Sequence, residues 1–323
     1  MGMEYRKLIS FGKSSFVVSI PKDWVRKNKL QKGDLIYFEE RDQDLVLSQQ
    51  NANDKKVDTE ITISVDGKSI RRIQREIISA YIRDYKTITL IGEEIKDKAK
   101  EIQATIQNLM ALEVMEQTTK KIVAKDFLDM NNISIFNLIK KMDIIIRAMV
   151  DDCEKMFVED NSENIAHRDN DLNRLSFLIF RIIDFGLENT SYMYKKHNLT
   201  SRNLLHLWWF TFNLETIGDE VKRVARYMKQ VKLPKPQQER FLHLLEDTKG
   251  AYLKIMKSFH MHDEELAHNV LELKEKVIRD CEQFYLDNRK VENVGLLVEK
   301  LKSMITSMHN LGRVVYQYSF TKE

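Results

Sequence analysis

Two carboxylates one helical turn apart, Glu215 and Asp219, are the side chains of this sequence whose spacing best suits chemistry. They lie in a run, 201–231, where Leu214, Ile217, Val221, Val224 and Met228 recur at three- and four-residue steps and form one apolar seam of a helix. At about 100° per residue, the two acids stack on a face turned away from that seam. Two chemistries are open to them. Acids on neighbouring turns can offer oxygen ligands to one hard cation. Lys222 and Arg223, three and four residues after Asp219, are equally well spaced to pair with it on a solvated face.

A second run, RDNDLNRL (168–175), places Asp169 and Asn173 beside another apolar seam made of Leu172, Leu175, Ile179, Ile182 and Gly186. The stretch LETIGDEVKRVA, Leu214 to Ala225, resembles the acid-xxx-acid signature in the third helix of PhoU-type helical bundles, regulators linked to phosphate uptake. RDNDLNRL resembles the other acid motif of that family. The resemblance implies a metal site on the outside of the first three-helix bundle, for a divalent or iron-type ion. Asp169, Glu215 and Asp219 would be its ligands, with Asn173 and Asp171 as accessories. Asn173 departs from the pattern, because a neutral amide is a weaker ligand for a hard cation than the acid usual there. In the following helices LGRVVY aligns with LETIGD. That puts Gly312 and Tyr316 at the acid positions and implies no second metal site. Nothing else in the chain requires a cofactor.

The first fifty residues have a different texture. Short apolar runs, 5–10, 16–20, 35–39 and 45–48, alternate with the turn-prone Gly12-Lys13-Ser14-Ser15 and Lys32-Gly33-Asp34, and Pro21 opens a short helix to Asn28. Such a stretch is too short and polar to bury a sizeable core alone, so pairing with a second copy is expected. Its charge is one-sided. Residues 1–33 hold eight Lys and Arg against Glu4 and Asp23, a pattern that suits either phosphate contact or a merely soluble surface. The order RKLISFGKSSFVVSIPKDWVRKNKLQKGDLIYFEERDQDLVLS resembles an AbrB-type swapped-hairpin domain, in its Gly-x-Ser-x-x-Val turn, its Ile-Pro-Lys-x-Trp helix start and its Leu-x-Lys-Gly-Asp turn. The resemblance implies two interleaved chains that bind double-stranded DNA through Arg6, Lys7, Lys13, Ser14, Ser15 and Lys22. In some members of that family the module serves only to dimerise or to bind a protein partner.

These sites need positioning elements. The 323 residues include only three prolines and ten glycines, which favours long helices. After a polar linker (51–56), a β-α-β-α-β-β order over 57–127 predicts a small α+β domain, whose Arg71, Arg72 and Arg75 could form a basic stripe for phosphate or nucleic acid; because Glu76 and Asp84 interrupt it, it reads here as a solvated helix face. From 131 the period is helical: six helices, near 133–158, 163–190, 201–231, 237–261, 264–288 and 292–320, split by LPKP into three-helix repeats at 131–233 and 236–323. The expected fold is multidomain and mainly α: a small swapped-hairpin β domain (1–50), an α+β middle domain and a pair of three-helix bundles. Trp208, Trp209, Phe210 and Phe212 read as bundle core and inter-helix contacts, and His260 and His262 as helix-end contacts.

The same features limit function. Cys153 and Cys281 lack metal-type spacing and read as two free thiols. The start, MGMEYRKLIS, has no apolar signal core, and the most apolar stretch, 204–214, is too short to span a bilayer, so a cytoplasmic protein without membrane insertion is expected. No phosphate loop, nucleophile elbow or Ser/His/Asp order occurs, and an enzyme is not expected. The expected function is a DNA-binding transcriptional regulator, acting as a homodimer or higher even oligomer and linked to phosphate uptake or phosphate-responsive signalling. The alternative is an adaptor that docks on a phosphate transporter's ATPase or a sensor kinase, its first module serving only dimerisation.

Overall fold

The computed structural model describes residues 5–41, 44–48, 60–130 and 133–317. The expected linker 51–56 lies outside them, as do 57–59 at the start of the middle domain, 131–132 at the start of the helical region and the last residues of the final helix, 318–320. The chain divides into two compact units, 1–57 and 58–323.

Among its described residues the first unit has two separate antiparallel hairpins and one short helix. β1 (Ile9–Phe11) pairs with β2 (Ser15–Val17), Ser10 standing opposite Phe16. Gly12 takes a φ of 70°, the left-handed conformation this three-residue turn requires and a Cβ would oppose. Pro21 precedes α1 (Lys22–Lys27), and β3 (Tyr37–Arg41) pairs with β4 (Asp44–Ser48). β1 and β2 are shorter than the apolar runs 5–10 and 16–20 suggest, whereas β3 and β4 are not. No described side chain of this unit is buried: Phe11 is 70% exposed, Phe16 67% and Leu35 73%. An isolated two-stranded hairpin is marginal in water, so this unit lacks within one chain the core that would hold it.

The second unit opens with the α+β layer. β5 (Glu60–Ser64), α2 (Ile70–Ile82), β6 (Thr87–Ile91), α3 (Ile95–Gln107), β7 (Leu112–Gln117) and β8 (Lys121–Asp126) follow in the expected order. The sheet order is β5-β6-β8-β7, parallel only between β5 and β6, so β5 is an edge strand. Ile73, Ile77 and Tyr81 of α2 are fully buried against Ile88, Leu90, Ile102 and Ile106. α2 stops three residues before the expected end at Tyr85, because Asp84 turns to a φ of 59°. That turn aims its carboxylate out of the layer, with consequences described below.

The helical region has seven helices among the described residues, not six: α4 (Ile135–Glu154), α5 (Ser162–Glu188), α6 (Thr190–His197), α7 (Ser201–Gln230), α8 (Lys235–Met261), α9 (Glu264–Asn288) and α10 (Val294–Gln317). The extra one, α6, forms because the chain breaks at Asn189 and again at Asn198, which takes a left-handed φ of 53°. Thr200 and Asn203 then make a reciprocal capping box that starts α7. α4, α5 and α7 pack pairwise, as do α8, α9 and α10, while α7 also packs along α10. The apolar interior therefore runs without a break from Ile135 to Val315 instead of forming two separate seams. No helix among the described residues is long and apolar enough to cross a membrane.

Gly218 explains how α7 approaches α5. A Cβ there would stand well inside van der Waals contact with Leu172 Cδ2, in a side chain fully buried in the core. Gly218→Ala is expected to cost about 1–3 kcal/mol through overpacking, read as a lower midpoint in urea denaturation. An unchanged midpoint would mean the helices separate freely there. Gly312 of α10 plays the same part, since a Cβ on it would lie 2.9 Å from Ile255 Cδ1 and 3.0 Å from Leu271 Cδ2.

Candidate functional site

In the first unit, Arg6, Lys7, Lys13, Ser14, Ser15 and Lys22 are all exposed. Gly12 sets the β1–β2 turn that carries Lys13 and Ser14 at its tip. Ser15 differs from expectation as a phosphate donor: its hydroxyl donates to the Phe11 carbonyl at 2.6 Å and closes the turn. Lys22 opens α1 directly after Pro21. The unit thus presents a set of basic side chains together with the exposed apolar residues Leu8, Ile9, Phe11, Phe16, Val17 and Val18.

In the second unit, α5 and α7 bring Asp169, Glu215 and Asp219 into one electrostatic cluster. The space between the acids is taken by a cation from the chain itself. Lys222 Nζ lies 2.5 Å from Asp169 Oδ2 and 3.1 Å from Asp219 Oδ1. Arg223 takes the other side of Asp219 at 2.7 Å, and Asn173 donates to Asp169 at 3.3 Å. Asp171 points elsewhere, toward Arg174. Among the described residues, no group of three or more His, Cys, Asp or Glu is arranged to hold a metal ion. As arranged, Asp169, Asn173, Glu215 and Asp219 do not fit one, because an ammonium already bridges two of the three acids. The expected pairing of Lys222 and Arg223 with Asp219 is present, and Lys222 also reaches across to the buried Asp169 on another helix.

Burial, then the charges of Asp219 and Asp169, push the Glu215 carboxyl up to about 7. Burial also raises Asp169, while its partner Lys222 is raised because the two carboxylates outweigh the ammonium's own burial. The second direction decides the pair, since an ammonium touching two carboxylates stays charged.

The paired glycines correct the alignment of the two repeats. With Gly218 matched to Gly312, the one facing Leu172 of α5 and the other Leu271 of α9, Glu215 corresponds to His309 and Asp219 to Arg313. Leu172 then matches Leu271, so Asp169 corresponds to His268. The positions Gly312 and Tyr316 are not the counterparts of the acids. The second repeat carries imidazole and guanidinium there, and the His309 pKa is lowered by burial and by Lys274 and Arg313.

Three features escape sequence reasoning. Arg181 of α5 is 0% exposed and donates to Asp126 (3.0 and 2.6 Å) and Asp84 (2.9 and 2.5 Å) of the α+β layer, with its guanidinium 4.5 Å over the Tyr81 ring. Lys86 completes the network at 2.9 Å from each acid. Burial opposes the charge on Arg181, yet Asp126 and Asp84 outweigh it and raise its pKa. The only local signal is a charged residue inside the apolar run SFLIFRIIDF. Second, Asp143 is buried, takes both arms of Arg147 at 2.8 and 2.7 Å and lies 3.7 Å from His260, so His260 faces another helix as well as its own helix end. Third, Phe210 is core, as expected, but Trp208, Trp209 and Phe212 are each about half exposed, along with Leu205. Trp209 and Phe212 stack at 5.8 Å and Trp208 meets Phe180 edge-on at 6.0 Å. Both cysteines are free and buried, and burial holds the Cys281 thiol up at about 12.

Comparison with known proteins bears on the two units separately. Residues 9–61 match the family described as antidote-toxin recognition MazE, bacterial antitoxin. The search of curated proteins finds no match. Among solved structures, the crystal structure of PhoU from Pseudomonas aeruginosa is similar at a TM-score of 0.39 and 15% identity, over 57% of this chain and 90% of that one. The chain begins, accordingly, with a domain of the MazE/AbrB antitoxin type.

Proposed function

We propose that this protein is a DNA-binding transcriptional regulator that dimerises through its first unit and is linked to phosphate uptake or phosphate-responsive signalling. The observation that carries the reading is a hairpin unit that exposes basic side chains and has no buried side chain among its described residues, in a segment matching an antitoxin family. A second copy would cover Phe11, Phe16 and Leu35 and bring two sets of cations to one duplex. The phosphate link rests on the resemblance of residues 214–225 to the PhoU acid motif. In this reading the helical region biases the spacing or orientation of the paired basic surfaces.

Salt-dependent DNA affinity tests it. Arg6, Lys7, Lys13 and Lys22 give a dimer eight cationic side chains, and full engagement corresponds to a log–log salt slope of about −7. Lys13→Ala, which removes two of them per dimer, is expected to flatten the slope by about 2 and to weaken binding uniformly across sequences. A response to salt that is flat from the start would sink the proposal.

The half-exposed aromatic stripe on α7 favours a second reading, in which the helical region is an adaptor that docks on a phosphate transporter's ATPase or a sensor kinase. In that case Trp209→Ser with Phe212→Ser abolishes docking on such a partner and leaves DNA affinity unchanged. A regulator acting on DNA alone shows no such docking to lose.

A further inference from the structure

The α+β layer carries a concave site that the DNA reading does not use. It lies between the edge strand β5 and α2 and has a volume of about 530 Å³, within the range of small-molecule sites. Arg72, Arg75, Ser79 and Arg83 follow one another at three- and four-residue steps, so α2 presents them as one exposed stripe along the groove. Lys68 joins them from the loop before the helix. Ile61, Ile63, Ala80 and Tyr85 supply an apolar lining beneath these charges, and Ser64 and Thr62 stand exposed on β5.

The single carboxylate of the groove is already used. Glu76 takes Lys68 at 2.6 Å and Arg72 at 3.0 Å, and the Lys68 hydrogen bond leads in holding its pKa below the usual carboxylate range. Arg75 and Arg83 form no ion pair among the described residues; Arg83 acts on Asp184 only through its field. Four cations thus surround a cleft with one satisfied anion. Arg83 caps the end of α2, eight residues after Arg75 and about 12 Å farther along its axis. That span exceeds one phosphate group, and the apolar lining calls for a ligand that is not charged throughout.

We propose that this groove binds a small phosphate ester carrying two or more phosphates, of the nucleoside di- or triphosphate class. Arg75 and Arg83 bind the phosphate chain, and the organic part lies on Ile61, Ile63 and Ala80. A duplex backbone fits less well, since its phosphates would meet only the arginine rim and leave the apolar lining uncovered. Arg83 directly precedes Asp84, which Arg181 holds, so the ligand sits one residue from the contact joining the layer to α5. The site is independent of DNA binding by the first unit.

Calorimetric titration of the full-length protein tests this, with ATP, inorganic pyrophosphate, orthophosphate and adenosine as probes. Saturable binding of ATP, tighter than that of orthophosphate and absent for adenosine, is expected. ATP tighter than pyrophosphate is expected, because the organic part is also held, and equal affinities would overturn its placement on the apolar lining. Arg75→Ala with Arg83→Ala, both at exposed positions, is expected to weaken ATP at least about tenfold. Arg71→Ala, exposed on the same helix but outside the groove, changes it less than about twofold. Adenosine binding as well as ATP, equal loss in Arg71→Ala, or loss in Lys13→Ala in place of the double variant each overturns the proposal. So does a groove that binds duplex DNA through Arg75 and Arg83 without saturating with ATP.

Discussion

Arg181→Met is expected to destabilise the second unit by about 3–5 kcal/mol, among the largest effects of any single change in this chain. The guanidinium is fully buried and is hydrogen-bonded to Asp126, whose side chain is 1% exposed, and to Asp84. Methionine fills much of its volume but takes the guanidinium away from two carboxylates that also hold Lys86. The cost is therefore that of desolvated anions left underpaired, more than of lost attraction. Urea denaturation followed by circular dichroism at neutral pH measures it. The control is the triple change Arg181→Met, Asp84→Asn, Asp126→Asn, which removes the stranded charges and is expected to recover most of the loss, because replacing a whole buried ionic group is often close to neutral. A loss below about 1 kcal/mol, or a triple variant no more stable than the single one, would show that the network does not hold the layer to the bundle.

That network also marks where sequence reading stops. Periodicity finds every residue whose role is set by its own helix. Leu214, Ile217, Val221, Val224 and Met228 are buried, as their spacing requires, and so are Leu172, Leu175, Ile179 and Ile182. The strand and helix order of the α+β layer was legible for the same reason, since its alternation and helical period change sharply at turns. Arg181 was not legible, because its partners lie 55 and 97 residues away and local pattern says nothing about either. Lys222 was legible as a partner for Asp219, three residues away, but not as one for Asp169 on the neighbouring helix. Trp209 and Phe212 show the reverse error, while Trp208 makes the expected inter-helix contact, with Phe180, but is not core. Size and apolarity argue for core, yet only part of the circumference of α7 faces α4, α5 and α10, and Leu204, Leu207, Phe210, Leu214 and Ile217 lie there. The register of the two repeats also needed coordinates: composition offered the LGRVVY alignment, whereas the close approach of Gly218 and Gly312 to facing leucines identifies the matching positions.

Glu215 makes the pH dependence of the helical region unusual. Its carboxyl is raised from 4.5 to about 7, first by burial and then by Asp219 and Asp169. With the folded pKa above the unfolded one, the native state binds the extra proton between those values, so stability falls as pH rises from about 4.5 to about 7 and levels off above. At pH 8 the ionised Glu215 therefore costs the fold on the order of 2–3 kcal/mol, most of which is regained at pH 5. Glu215→Gln keeps the shape and removes the charge. It is expected to be more stable than the parent by on the order of 2–3 kcal/mol at pH 8 and nearly equal to it at pH 5. Urea denaturation followed by tryptophan fluorescence suits the measurement, because Trp208 and Trp209 lie on the same helix two turns before Glu215. The same experiment examines the cation question. If Lys222 is the cation of this cluster, added magnesium or manganese leaves the fall in the parent's stability between pH 5 and pH 8 unchanged; if a divalent ion displaces it, that fall shrinks in the parent, which gains stability at pH 8 relative to the Gln variant. Parallel pH profiles for parent and variant, with or without metal, would remove Glu215 from the electrostatic account of this cluster.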